Sequence, residues 1–388
     1  MFTQWEVNPV AHGELRDGPF VTLFSAAGLT LGEVHAQDAA FTGIRAEFDH
    51  LADWAGAPAL VNPSTDTISV RGSQTELMTT TWGGAHLTLR SGAIGGVGRS
   101  SVHLDRWCDF SAEPESAQEW RELLETYLRP FQDLLVLSVG RSIGMHGLML
   151  RPDGCEALCD AFLVTTPVAA GSTEPISHFN APTLLRAATS PIPLAELLPR
   201  WIDLREELWG VLVALLAPFT YAEHQFQALV QSAEAYHHAR KGKFGTAQLP
   251  RADQNKRVEQ VVAALEQPSL DAATTQRARS VIQTRNAKPM REKLRDVVSA
   301  TGALGEEIAD WAPDFVQNLT QTCNKVSHGS ATPQHVLSAE ERHWHGQVLL
   351  GVMRVRLLQE LGCADAGLRA LENRSFQFAL EQLIGERP

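Results

Sequence analysis

At Ser190-Pro-Ile-Pro193 the chain changes its apolar period. Before this point apolar residues alternate in short runs bounded by turn formers, a pattern that lines one face of a strand. Beyond it they recur at three- and four-residue spacing, which lines one face of a helix. Two prolines within four residues discourage regular structure and mark a junction. A length of 388 residues exceeds what one small core needs. The expected fold is therefore α+β, with a strand-rich domain over residues 1–192 followed by an all-α domain over residues 193–388.

In the first region, Pro19-Phe-Val-Thr-Leu-Phe24 and Leu29-Thr-Leu-Gly-Glu-Val34 alternate on either side of a turn signal at Ala27-Gly28, which predicts an antiparallel hairpin. Residues 67–70, 77–81 and 86–90 are further strand candidates. Residues 116–137 form an amphipathic helix, with Trp120, Leu123, Leu124, Tyr127 and Leu128 at helical spacing. In the second region, Thr220-Tyr-Ala-Glu223 and Ser338-Ala-Glu-Glu341 have the spacing of capping boxes, in which hydroxyl and carboxylate satisfy free backbone donors. Phe226, Leu229, Val230 and Ala233 form the apolar stripe behind the first box. Helices are expected around residues 253–266, 270–285, 289–300 and 310–328.

Several functional classes are excluded. The longest apolar run, from Trp209 to Phe219, is too short to span a bilayer, and MFTQWEVNP lacks the basic start and apolar run of a signal peptide. A soluble, cytoplasmic protein is expected. Five cysteines at 108, 155, 159, 323 and 363 include no CxxC pair, which argues against a disulfide framework or zinc knuckle. His343-Trp-His345 and His237-His238 are too closely spaced to share a helix face, so they read as surface or core-edge residues and no metal or cofactor is expected. The glycine-rich stretch from Ser91 to Ser100 fails as a phosphate loop, because Ala93 and Arg99 stand where glycine and lysine are required. It fails as a dinucleotide fingerprint at Ser101, and reads as a flexible strand connection. No GxSxG elbow is present.

The formal charge of −12 would disfavour a polyanion if it were evenly spread. Residues 240–295, however, hold 13 Lys/Arg against 5 Asp/Glu. A basic segment in an acidic protein can attract nucleic acid while the remainder repels loose binders.

The residues with chemical potential are Gln321-Thr-Cys-Asn-Lys-Val-Ser-His-Gly329. Asp310 can cap a helix that tolerates Pro313 in its first turn, carries Phe315, Val316, Leu319 and Val326 on an apolar face, and stops near Gly329. Asn324 and His328, four apart, then share a face. A histidine at a helix C-terminus has its protonated form favoured by the dipole, so it can give and take a proton near neutral pH.

At these residues the chain resembles the HEPN family, and within it the branch found in ApeA anti-phage proteins. The family motif is Arg, usually Asn next, three further residues, then His, commonly followed by Gly. Asn324, His328 and Gly329 fall on matching positions, and Cys323 stands at the arginine position. Phe226-Gln-Ala-Leu-Val-Gln-Ser-Ala-Glu234-Ala-Tyr236-His237 is similar to the first helix of that branch. Phe41-Thr-Gly-Ile-Arg-Ala-Glu-Phe48, Leu51-Ala-Asp-Trp54 and Phe131-Gln-Asp-Leu-Leu135 are similar to its accessory domain.

The resemblance implies an all-α HEPN bundle at the C-terminus and a metal-independent endoribonuclease of abortive anti-phage defence. It also implies a homodimer whose two motifs face one composite site, and RNA, including structured RNA such as tRNA, as substrate. A phage-derived trigger is a further implied partner. In this scheme His328 moves the proton of the attacking ribose 2′-hydroxyl, Asn324 orients the ring or substrate, and an arginine offsets charge on the phosphate. Cys323 departs from that pattern, because a thiol is neutral or negative and a weak donor where guanidinium gives a permanent charge and a fork of donors. Losing such a contact costs about 3–4 kcal/mol, roughly a thousandfold in rate. Lys325, Arg285, Arg291 and Arg295 are candidates to meet the RNA phosphates. The alternative is a catalytically inactive HEPN protein that binds RNA or a phage protein as sensor or scaffold; a scaffold unrelated to nucleic acid would have its basic residues scattered over several faces.

Overall fold

The computed structural model describes residues 2–5, 8–13, 21–25, 28–31, 40–56, 74–97, 102–162, 183–216, 222–245, 247, 249–266, 271–284, 286–328 and 336–384. Strands occupy the N-terminal part and helices nearly all of the remainder, so the fold is α+β. Two compact units are formed. The first comprises Met1–Glu207 with Leu357–Ser375, and the second Leu208–Arg356 with Phe376–Pro388.

The strands are β1 (Phe2–Trp5), β2 (Asn8–Gly13), β3 (Val21–Ser25), β4 (Gly28–Leu31), β5 (Ala40–Phe48), β6 (Thr75–Trp82), β7 (Ala85–Val97), β8 (Val102–Pro114), β9 (Gln118–Glu119), β10 (Met145–Pro152) and β11 (Cys159–Phe162). The larger sheet runs β1-β4-β11-β10-β5-β8-β7-β6, with β9 beside β5, while β2 and β3 pair separately. The hairpin expected around Ala27-Gly28 does not form: β3 pairs with β2, and β4 with β1 and β11. Alternation identifies a strand but carries no information about its partner. Residues 67–70 lie outside the described residues.

The sheet buries one face by register. Ala46 of β5 stands opposite Phe110 of β8, and Phe110 opposite Leu89 of β7, so three buried apolar side chains form one row. Ile44, Ala112 and Leu87 form the next. A helical segment from Trp120 to Val139, with a π turn at Leu124–Leu128, covers these rows with Leu124, Tyr127, Leu128, Phe131 and Leu135. It begins later than periodicity suggests because Gln118–Glu119 pairs with β5. The opposite face holds a buried ion cluster, in which Asp109 is fully enclosed between Arg45 at 2.6 Å and Arg90 at 3.1 Å.

Over residues 91–97 the glycine-rich stretch is strand and not a connection; residues 98–101 lie outside the described residues. Residues 91–97 are ladder-paired with β8. Gly92 lies directly against the Trp107 indole, where a Cβ would come within 2.5 Å of the ring. Glycine is present here because an aromatic ring needs the space.

Leu194–Glu207, just beyond the proline junction, packs with the sheet-bearing unit. Trp201 Nε1 donates to the Pro130 carbonyl at 2.7 Å, Arg205 Nε to Asp133 at 2.6 Å, and Thr80 Oγ1 to the Ala195 carbonyl at 3.0 Å. The first compact unit therefore extends past residue 192.

In the second unit, Ala222–Ala239 buries Phe226, Leu229, Val230, Ala233 and Tyr236. It meets Met290–Ser299, which contributes Leu294, Val297 and Val298, and Phe315–His328. The box at Ser338–Glu341 forms: the Ser338 N–H donates to the Glu341 carboxylate at 2.7 Å and the Glu341 N–H to the Ser338 hydroxyl at 3.2 Å. At the other box, Thr220 and Tyr221 lie outside the described residues. Arg251–Glu266 and Ala272–Thr284 pair as a helical hairpin on Val258 and Val262, with Gln254 Nε2 donating to the Ile282 carbonyl at 2.7 Å. Among the described residues, no helix is long and apolar enough to cross a membrane.

Candidate active site

The segment expected as one helix over residues 310–328 is divided. Ala303–Trp311 ends before Pro313, and a new helix runs from Phe315 to His328. Asp310 is therefore in the last turn of the earlier helix and caps nothing at the motif. The proline supplies the reason, since it restricts the residue before it to extended backbone. The new helix starts with the Asn318 N–H donating to the Asp314 carbonyl at 2.8 Å.

Phe315, Leu319, Thr322 and Cys323 form the buried stripe of this helix. Val326, expected on the same stripe, is 45% exposed. Although Gln227 of Ala222–Ala239 reaches Ser327, all four residues from Asn324 to Ser327 are exposed. This presents Asn324 and Lys325 to solvent. His328 is the final residue of the helix, one turn beyond Asn324; its side chain and Gly329 lie outside the described residues.

Cys323 behaves differently. It is 1% exposed, and its Sγ is 3.9 Å from the Ser327 hydroxyl. Burial pushes the thiol pKa up, the Ser327 contact draws it down, and the Glu234 carboxylate raises it again; the net shift is upward. The motif's arginine position thus holds an uncharged group in the packed face.

Around it runs a polar seam. Gln227 and Glu234, seven apart on Ala222–Ala239, face the motif helix: Gln227 Nε2 donates to Ser327 Oγ at 3.1 Å, and Glu234 acts on Cys323. From Met290–Ser299, Lys293 Nζ reaches Glu234 Oε1 at 2.6 Å. The sequence reading missed Gln227, Ser327 and Lys293. A signal was present, because two polar residues spaced by seven on an otherwise apolar helix stripe occupy one face.

The basic segment is unevenly arranged. Residues 240–250 carry three Lys/Arg and no acid, the helical hairpin region 251–284 five against four, and residues 285–295 five against one. The two strongly basic flanks meet at the hairpin's root. Ala247 bridges Ala287, and Asn286 exchanges hydrogen bonds with the Leu249 backbone at 3.0 and 2.9 Å. Lys288 Nζ donates to the Phe244 carbonyl at 2.8 Å and to Asp296 at 2.6 Å. Burial pushes Asp296 up, yet bonds from Lys288 and His237 hold it below its ordinary value. Arg291 and Arg295, one turn apart, are exposed, as is Lys241. Arg285 lies outside the described residues.

The paired histidines divide as well. His238 and His343 are exposed, whereas His237 is buried against Asp296 and Phe244 and His345 against Phe315.

Comparison with known families gives two matches. A family model described as Apea-like HEPN matches residues 228–366, and one described as ApeA N-terminal domain 1 matches residues 5–201. Neither the curated proteins nor the solved structures give a significant match.

Proposed function

Because the chain belongs to the ApeA family of HEPN-containing anti-phage defence proteins, we propose that it is a metal-independent endoribonuclease acting from the end of Phe315–His328. The observation that carries this reading is the exposed last turn of the motif helix. It holds Asn324 in solvent one helical turn before His328, beside exposed Lys325 and on a unit that also exposes Arg291 and Arg295.

In the proposed step His328 takes the proton of the ribose 2′-hydroxyl as the O2′–P bond forms. The P–O5′ bond breaks, a proton is returned to O5′, and the products are a 2′,3′-cyclic phosphate and a 5′-hydroxyl. Asn324 orients the ring or the substrate. Two copies of the chain pair so that both motif helices serve one cleft, structured RNA is the substrate, and the strand-rich part senses a phage-derived trigger in the cytoplasm.

The second reading is an inactive HEPN protein that binds RNA or a phage protein. Burial of a neutral Cys323 at the arginine position favours it. Incubating the purified protein with structured and unstructured RNA separates the two: cleavage supports the first, and binding without cleavage supports the second. In either case RNA affinity should depend on salt. If Lys241, Lys293, Lys325, Arg291 and Arg295 all contact phosphate, affinity falls by about 100-fold between about 50 and about 200 mM salt, from a slope of roughly −0.7 per contact. A flat response in a salt titration would assign the ligand to another class.

A further inference from the structure

We propose that Lys293 supplies the phosphate-binding cation that the motif's arginine position lacks, with Glu234 as its tether. The proposal rests on the ribonuclease reading above and names the group that completes that site. Cys323 is enclosed and carries no charge, so nothing at that position can offset charge developing on a phosphate. Ala222–Ala239 and Met290–Ser299 both pack against the motif helix, Gln227 of the former donates to Ser327 Oγ at 3.1 Å, and Glu234, seven residues on, is engaged by Lys293 Nζ at 2.6 Å. A positive group is therefore fixed on the face of the two helices that pack against the motif helix, delivered from Met290–Ser299 rather than from the motif helix itself.

The pair is built to present this charge. Lys293 and Glu234 are 23% and 36% exposed, so the ammonium is neither buried away from a ligand nor free to wander in solvent. An ammonium has three donors, and one bond to Glu234 leaves others for the non-bridging oxygens of a phosphate. Glu234 also explains how an arginine at 323 would behave. Its long stem could lie along apolar surface while its head reaches the same carboxylate, so Lys293 and an arginine at 323 are alternatives for one place.

The test is a set of variants: Lys293→Met, Lys293→Arg, Glu234→Gln, Cys323→Arg and Cys323→Arg/Lys293→Met, each checked for an unchanged melting temperature. Lys293→Met should lower kcat/KM for RNA cleavage by about 100-fold, with most of the loss in kcat. Glu234→Gln, which is isosteric, should give a loss in the same direction. Lys293→Arg should retain cleavage within about tenfold of wild type, and Cys323→Arg alone should change it by less than about tenfold. Cys323→Arg should restore most of the activity lost in Lys293→Met, and loss and rescue that both occur at unchanged melting temperature are what a merely structural role for Lys293 does not produce. Cleavage by Lys293→Met at the wild-type rate, or failure of Cys323→Arg to restore it, overturns the proposal.

If the wild-type protein cuts no RNA, the ribonuclease reading fails by itself, and the same variants are titrated with 2′-O-methyl RNA. Weaker binding by Lys293→Met that Cys323→Arg restores keeps Lys293 as a phosphate contact, whereas equal binding by all variants, or none by wild type, removes it.

Discussion

Replacing His328 by alanine is expected to lower the rate of RNA cleavage by about 10³-fold, within the range that one positioned proton-transfer group contributes. The loss should fall on kcat, because the phosphate contacts assigned to Lys293, Arg291 and Arg295 stand on another helix. Stability should not change, since residue 328 ends its helix after a turn in which every residue is exposed. Single-turnover cleavage and a melting curve on the same preparation give both readings. A variant that cleaves within threefold of wild type would remove His328 from the mechanism.

Phe131→Ala is expected to destabilise the sheet-bearing unit by about 4 kcal/mol, as truncation of a fully buried phenylalanine does. Its ring stacks on Phe110 with centroids 4.0 Å apart and meets Phe48 and Trp54 edge-on at 5.5 and 5.9 Å. Truncation removes a ring that all three share and leaves a cavity between helix and sheet. Phe131→Leu refills most of that volume and should cost less. Denaturant unfolding measures the difference, and a loss below about 1 kcal/mol in Phe131→Ala would show that the site collapses around the missing ring.

How much of this was legible in the sequence depended on the range over which each signal acts. Local signals were readable: the apolar stripe of Ala222–Ala239, the capping box at Ser338–Glu341 and the helix ending at His328 all follow from spacing within one or two turns. Pairing was not. Alternation marks residues 19–24 and 29–34 as strands, and strands do form at Val21–Ser25 and Gly28–Leu31, but it could not send them to different sheets. The glycine-rich stretch misled because glycine permits a turn equally well as close approach, and only the partner strand supplies the Trp107 ring.

The site was half legible for the same reason. Cys323, Asn324 and His328 are consecutive enough to be read from one helix, and exposure of Asn324 follows from its place beside the buried stripe. Val326 was misplaced because periodicity predicts which face a residue occupies and not where neighbouring helices stop. Lys293 was hidden among 13 basic residues. What distinguishes it is the carboxylate it holds, 59 positions away in the chain.

The most direct measurement is the chemistry of the RNA ends. Wild-type protein incubated with RNA in excess chelator should give fragments ending in 2′,3′-cyclic phosphate and beginning with 5′-hydroxyl, and a single 2′-deoxy substitution at the cleavage site should abolish the cut there. Intact RNA under all conditions, cleavage that requires a divalent metal, or cutting at the 2′-deoxy position would contradict the account.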